Sequence, residues 1–407
     1  LGEHGVALCG YGPGRKDDNR RNLIQNSRFR HCGELFWHAA GVYIAQSGEN
    51  VIAHNLFQNL PFISVVVSGV RDFWRGHLRA GEGGEAIRWD DIGDETAEMW
   101  AQAYREGREP WVEAQPFLHA RNNRIEYNEI LAGVEVMGDG NAMYLSGAGE
   151  GNVVRGNYIH HMLGDGVQTA LRPDDLQRDV LFTGNVVYKC VYGAVEHKHT
   201  NHYVNNIFAC IFETNPKGAR WNEWAYMLLG RGPLDGTRIQ RNIFYHPGTG
   251  APFYHERQLP PDHPFHISLE DCQADRNLFF AAADPAAATA FLAQAQARGV
   301  EQHSLVADPH FVDIEAGDFR LRPDSPALGL GFIPIDVSES GPQEPWRTTL
   351  FDGPVLHTTI RPDGGRLQPE GSTRVELRCD VPDARIHYTL NGTDPTPASA
   401  SFVGELH

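Results

Sequence analysis

Two Gly-Asp-Gly triplets, centred on Asp139 and Asp165, stand 26 residues apart, each just before a short run of strand-forming residues. Carboxylates that recur at one position of a repeated element can stack beside each other. Like-charge repulsion in such a pair raises one pKa, which sets up a general acid beside a general base. The same triplet is also a common turn sequence, in which the glycines supply positive φ. Farther along, VEHKHTNH (195–202) gathers Glu196, His197, Lys198, His199 and His202 into the densest ionisable patch of the chain. These residue types can supply an acid, a base and contacts to a ligand. Arg172, with Asp174 and Asp175 close behind it, adds a guanidinium and two more carboxylates. A zinc site is not assigned, because His197 and His199 at i, i+2 lack an evident third ligand.

Which of these groups meet depends on the elements that carry them, and the chain contains a repeat. An apolar residue, two variable positions, Asn, and two residues of which the second is usually apolar recur as IAHNLF (52–57), IEYNEI (125–130), VRGNYI (154–159), FTGNVV (182–187), YVNNIF (203–208) and IQRNIF (239–244). The anchors Asn55, Asn128, Asn157, Asn185, Asn206 and Asn242 are followed by a weaker copy at Asn277. Short β-branched and aromatic runs, frequent turns and a period of 20–36 residues predict an all-β fold: a right-handed parallel β-helix whose coils stack identical side chains. A stacked Asn tolerates a left-handed turn and bonds the next amide, so the ladder is read as structural.

Composition agrees with such a fold and narrows its ligands. The 407 residues carry 43 Gly and 25 Pro, many turns rather than long helices, and a net charge of −17 that disfavours nucleic acid and favours neutral ligands. No run of about 18 apolar residues is present, so no membrane span is expected. Six scattered cysteines contain no CxxC pair; Cys190 and Cys210 are the two to test for contact. LGEHGVALCG opens without Met or a signal peptide and FVGELH closes inside a strand-like run, so the chain is expected to be cut at both ends.

GVYIAQSGENVIAHNLF (41–57), GNAMYLSGAGEGNVVRGNYIH (140–160) and HSLVADPHFVDIEAGDFRLRPDSPALGLGF (303–332) resemble right-handed parallel β-helix proteins of the pectin-lyase-like superfamily, polysaccharide lyases and glycoside hydrolases above all. IHYTLNGTDPT (386–396) resembles the chitobiase/hexosaminidase carboxy-terminal β-sandwich module. The resemblance implies a catalytic β-helix over 1–340 and a small, shortened β-sandwich over 350–407. It further implies an extracellular or periplasmic location, bacterial origin and an oligo- or polysaccharide partner. No cofactor is expected, although a structural or substrate-bridging Ca2+ is compatible with it; oligomeric state is not readable. Residues 71–118 interrupt the rhythm with a Trp-rich, helical insertion (Trp74, Trp89, Trp100, Trp111), and 285–299 is a second predicted helix.

Alternation along GVYIAQ, NAMYLSG, GVQTALR and GAVEHKH turns Val42, Ile44, Met143 and Leu145 inward and Tyr43, Tyr144, Gln168, Glu196 and Lys198 outward. Two carboxylates on adjacent coils lie roughly 4.8 Å apart, near the roughly 5–5.5 Å of a retaining glycosidase, whereas Asp139 with Glu196, two coils apart, suits the roughly 6.5–9.5 Å of an inverting one. The expected catalytic groups are therefore Asp139 and Asp165, with Glu196 in reserve. Expected substrate contacts are His38, Tyr43, Tyr144, Gln168, Arg172, Asp174, Lys198, His199 and Trp224. The runner-up is β-elimination on a uronate polymer with Lys198 or His199 as base and Arg172 neutralising the carboxylate; the third reading is a non-catalytic glycan-binding solenoid.

Overall fold

The computed structural model describes residues 2–10, 17–69, 115–164, 166–175, 177–213, 224–250, 252–263, 265–344, the isolated positions 98 and 102, and short stretches between 358 and 401. The chain divides into two units, Leu1–Thr348 and Thr349–His407. The first is a right-handed parallel β-helix of three all-parallel sheets with eight, eight and nine strands. Its first sheet, which carries the site, contains β1 (Val6–Cys9), β2 (Val42–Ala45), β3 (Val65–Ser68), β4 (Gly140–Ser146), β5 (Val167–Asp174), β6 (Gly193–Lys198), β7 (Ala225–Arg231) and β8 (Tyr254–Glu256), in that order.

Val42, Ile44, Met143, Leu145, Leu171 and Val195 point into the solenoid and are fully buried, as alternation requires. Aromatic rings stack along the interior, for example Phe182 on Tyr203 at 5.0 Å and Phe244 on Phe279 at 5.0 Å. Such pairs add about 0.5–1.5 kcal/mol beyond their area burial.

The Asn ladder is continuous. Each side-chain amide donates to the carbonyl oxygen of the next, from Asn55 to Asn128 (3.0 Å), Asn157 (3.0 Å), Asn185 (2.9 Å), Asn206 (3.0 Å), Asn242 (3.0 Å) and Asn277 (3.0 Å). The left-handed residue of each turn is the one before the Asn: His54, Tyr127, Gly156, Gly184, Asn205, Arg241 and Arg276 all have positive φ, and the ladder asparagines do not. Hydrogen bonding, not tolerance of the left-handed region, therefore selects Asn here. A second ladder runs five residues upstream through Asn22, Asn50, Asn123 and Asn152.

Past the final coil, α1 (Pro285–Ala297) is capped by Asp284, whose carboxylate accepts from Ala287 N at 3.0 Å. The chain then covers the outer face of the third sheet, where Phe311, Phe319, Leu330 and Phe332 pack on Val186, Ile207, Ile243 and Leu278. From there it runs back across the coils as a strap. Ile333 exchanges two bonds with the Asn205 side chain, Ser340 Oγ donates to Gly156 O, Gly341 N to Tyr127 O, and Gln343 N to Asn26 Oδ1.

In the second unit, Thr358–Arg361 pairs with Glu376–Cys379 and His387–Tyr388 with Ala400–Ser401, both antiparallel. The Trp-rich insertion, apart from positions 98, 102 and 115–118, and residues 391–393 lie outside the described residues. Cys190 and Cys210 are both free and belong to different apolar clusters. No described helix is long and apolar enough to cross a membrane.

Candidate functional site

The outward residues of the first sheet form two rows. Tyr43, Val66, Tyr144 and Arg172 are cross-strand neighbours, and Ala45, Ser68, Ser146 and Asp174 form the next row. Leu171 pairs with Val195, which sets Glu196 beside Arg172 and Lys198 beside Asp174. An apolar, aromatic half of the face thus meets a charged half at β5 and β6. At the apolar end His4, which nothing in the sequence flagged, stacks on Tyr43 at 4.7 Å and 7°.

Arg172 is the hub of the charged half. Its Nη1 donates to Asp139 Oδ1 at 2.6 Å and to Gln168 Oε1 at 2.5 Å. Its Nη2 lies 3.0 Å from Asp174 Oδ2, and its Nε faces Glu196 Oε2 at 3.0 Å without hydrogen-bond alignment. The guanidinium also stands 5.8 Å from the centroid of the Tyr144 ring. Burial works against its charge, but Glu196, Asp174 and Asp139 outweigh burial and raise its pKa above the ordinary arginine value. Lys198 Nζ bonds Asp174 Oδ1 and lies 3.4 Å from Glu196 Oε1.

The three carboxylates differ sharply in how far they are satisfied. Asp174 is buried and accepts three hydrogen bonds, from Tyr144 Oη at 2.9 Å on Oδ2 and from Asp175 N at 2.7 Å and Lys198 Nζ on Oδ1, while Arg172 Nη2 stands 3.0 Å from Oδ2 as an ion pair. Burial alone would raise its pKa, but Lys198 and Arg172 overcome that and hold it far below the usual carboxylate range. Glu196 has one cation per oxygen. Asp139 is 68% exposed and meets Arg172 through one oxygen, in a turn where it takes a φ of 59° itself.

That geometry changes the account of Gly-Asp-Gly. None of Gly138, Gly140, Gly164 and Gly166 has positive φ; the aspartate at 139 does. A Cβ on Gly166 would lie 1.7 Å from Met137 O, on Gly164 2.1 Å from Val134 O, and on Gly140 2.2 Å from Val134 Cγ1. Gly164 and Gly166 are there because the neighbouring coil approaches too closely for a side chain, and Gly140 because Val134 packs on it, whereas a Cβ on Gly138 would meet nothing.

The remaining sequence candidates are placed as follows. Asp165 lies outside the described residues. His199 is a correction: it is fully buried against Phe265 at 6.0 Å, and burial first, then Arg178 and Arg231, push its pKa well down, so it does not face a ligand. Alternation also turns His197 inward, where it meets Tyr203 Oη at 3.1 Å and burial pushes its pKa down to about 3. Trp224 packs near His246 at 6.0 Å, away from the hub, and His38 is exposed against Phe62 at 4.4 Å. Among the described residues no group of three or more His, Cys, Asp or Glu is arranged to hold a metal ion.

No family model and no curated protein matches the chain. Two solved structures are similar to it. One is a tailspike protein mutant of E. coli bacteriophage HK620 in complex with a pentasaccharide, 12% identical with a TM-score of 0.36, over 69% of this chain and 50% of that one. The other is XylC in complex with xylose, 10% identical with a TM-score of 0.32, over 74% of this chain and 55% of that one. The chain spans about half the length of the structures it matches, and likeness at this level carries no residue roles across.

Proposed function

We infer that this chain is a glycoside hydrolase acting outside the cell on an oligo- or polysaccharide laid along the first sheet. The observation that supports this most is the convergence of Asp139, Asp174 and Glu196, from three successive coils, on one guanidinium beside an aromatic row. Tyrosine faces suit sugar rings, and paired carboxyls suit glycosidic cleavage. In this reading Asp139 and Glu196 are the working pair. β4 and β6 flank β5, so the pair comes from coils two strand spacings apart, and both carboxylates reach one guanidinium, Asp139 at 2.6 Å and Glu196 at 3.0 Å, in keeping with the wider spacing of the inverting geometry. Glu196, held between two cations, is the base for water; Asp139, at the exposed rim, serves the leaving oxygen. Residues 350–407 are read as an appended β-sandwich module.

The presence of Lys198 and Arg172 on the same face supports a second reading, β-elimination on a uronate polymer. A glycan panel followed by mass spectrometry separates the two. Hydrolysis adds water and leaves new reducing ends; elimination yields an unsaturated product with ultraviolet absorbance and no added water. Unsaturated product would overturn the hydrolase reading, and full activity in Asp139→Asn/Glu196→Gln would overturn the site.

A further inference from the structure

We propose that Asp174 is a positioning residue, holding Tyr144, Lys198 and Arg172 in place and never contacting substrate. The inference rests on the hydrolase reading for its catalytic consequence, but its structural basis stands alone. A carboxylate offers about four lone-pair positions, two on each oxygen. In Asp174 three of them are filled by hydrogen bonds, on Oδ2 from the Tyr144 hydroxyl and on Oδ1 from Lys198 Nζ and its neighbour's backbone N–H, and the Arg172 guanidinium stands against Oδ2 as an ion pair at 3.0 Å. A sugar hydroxyl could reach it only by displacing a cation or a backbone donor inside a buried cluster.

Each donor is itself placed by that carboxylate. Tyr144 lies between the aromatic row and the charged half, so its hydroxyl bond fixes the ring that a sugar would lie against. Lys198 bridges Asp174 and Glu196, so the Asp174 carboxylate sets how closely the ammonium approaches Glu196. Arg172 spans Asp174, Glu196 and Asp139, and its Nη2 contact fixes the plane in which Nη1 and Nε present themselves to the other two. Asp174 therefore acts on the working pair through two cations at once.

The test is Asp174→Asn, which keeps the shape and removes the charge. On any glycan the wild type turns over, kcat falls about a hundredfold while KM stays within about twofold. A raised KM with kcat preserved would mean that Asp174 is a substrate ligand and would overturn the proposal. A second readout needs no substrate: acetylation of Lys198 in the folded protein, followed by peptide mass spectrometry, is expected to be about tenfold faster in Asp174→Asn than in wild type, as the paired ammonium is released. Unchanged labelling overturns the proposal even if no glycan is ever cleaved, whereas absence of wild-type turnover with faster labelling removes only the hydrolase reading. If Asp174→Asn does not fold, Asp174→Asn/Lys198→Met removes both partners of the buried pair and is compared with Lys198→Met alone. Action through Lys198 predicts that the second substitution changes kcat by less than about twofold and leaves KM in place; a further rise in KM overturns it.

Discussion

Replacing Glu301 by Gln should abolish a fall in stability between pH 5 and pH 8. Glu301 sits at the end of the Asn ladder, fully buried, where it accepts from both the Asn277 amide (2.9 and 3.0 Å), the Tyr254 hydroxyl (2.6 Å) and Ser304 Oγ. Those donors favour the carboxylate, but burial outweighs them and pushes the pKa up from 4.5 to about 7. A raised carboxyl pKa means that the folded chain holds a proton the unfolded chain has already released. The contribution of Glu301 to stability is therefore most favourable below about pH 4.5 and declines as pH rises through about 7. A shift of this size corresponds to about 3 kcal/mol in full, of which about 2.5 kcal/mol falls between pH 5 and pH 8. Gln resembles the protonated side chain and does not titrate. Urea unfolding of wild type and Glu301→Gln at half-unit pH steps, followed by circular dichroism, gives the difference curve and cancels the other titrating groups. The variant should gain on wild type by about 2.5 kcal/mol across that interval. A flat difference curve, or one rising toward acid, would refute the claim that burial dominates at Glu301.

On a glycan that is cleaved, Asp139→Asn and Glu196→Gln should each lower kcat by about 10²–10⁴-fold, measured from initial rates of reducing-end release. Early-time proton NMR of the same reaction should show the inverted anomer, and a retained anomer would place the working carboxyls on adjacent coils. Asn157→Ala strands donors or acceptors at Asn128, Ile125 and Asn185, and should cost about 3 kcal/mol in urea unfolding. Gly166→Ala forces a Cβ into Met137 O and should cost about 1–3 kcal/mol, with a lower thermal midpoint than wild type.

The sequence read well in the radial direction and poorly along the axis. Period-two alternation tells whether a side chain faces core or surface, so the inward Val42, Ile44, Met143 and Leu145 were legible, as were the outward Tyr144, Glu196 and Lys198. Axial neighbours are set by coil length, which varies: Asn55 bonds Asn128 across 73 residues, but Asn185 bonds Asn206 across 21. Arg172 and Asp174 were accordingly picked out one by one, without the shared cluster that joins them to Glu196 and Asp139. His199 failed because its imidazole was read for its chemistry and not for its place in the alternation: Val195 and His197 face inward, and His199 continues that series. The second ladder did leave a signal, an Asn five residues before the anchors Asn55, Asn128, Asn157 and Asn206, visible only once two copies are aligned. Nothing in composition announced the Gly166 contact, since close approach belongs to the neighbouring coil.

The strap also gives this unit a timetable. Stacked coils interact with their neighbours only, so each new coil can settle on the last as it leaves the ribosome. The bonds from Gln343 to Asn26 and from Gly341 to Tyr127 cannot form until the far end of the unit has been made. At about 5–20 residues per second, the 317 residues between Asn26 and Gln343 take roughly 16–60 s to synthesise. Through that interval the first coils hold together on ladder and core alone, and the growing chain is latched only by its last stretch.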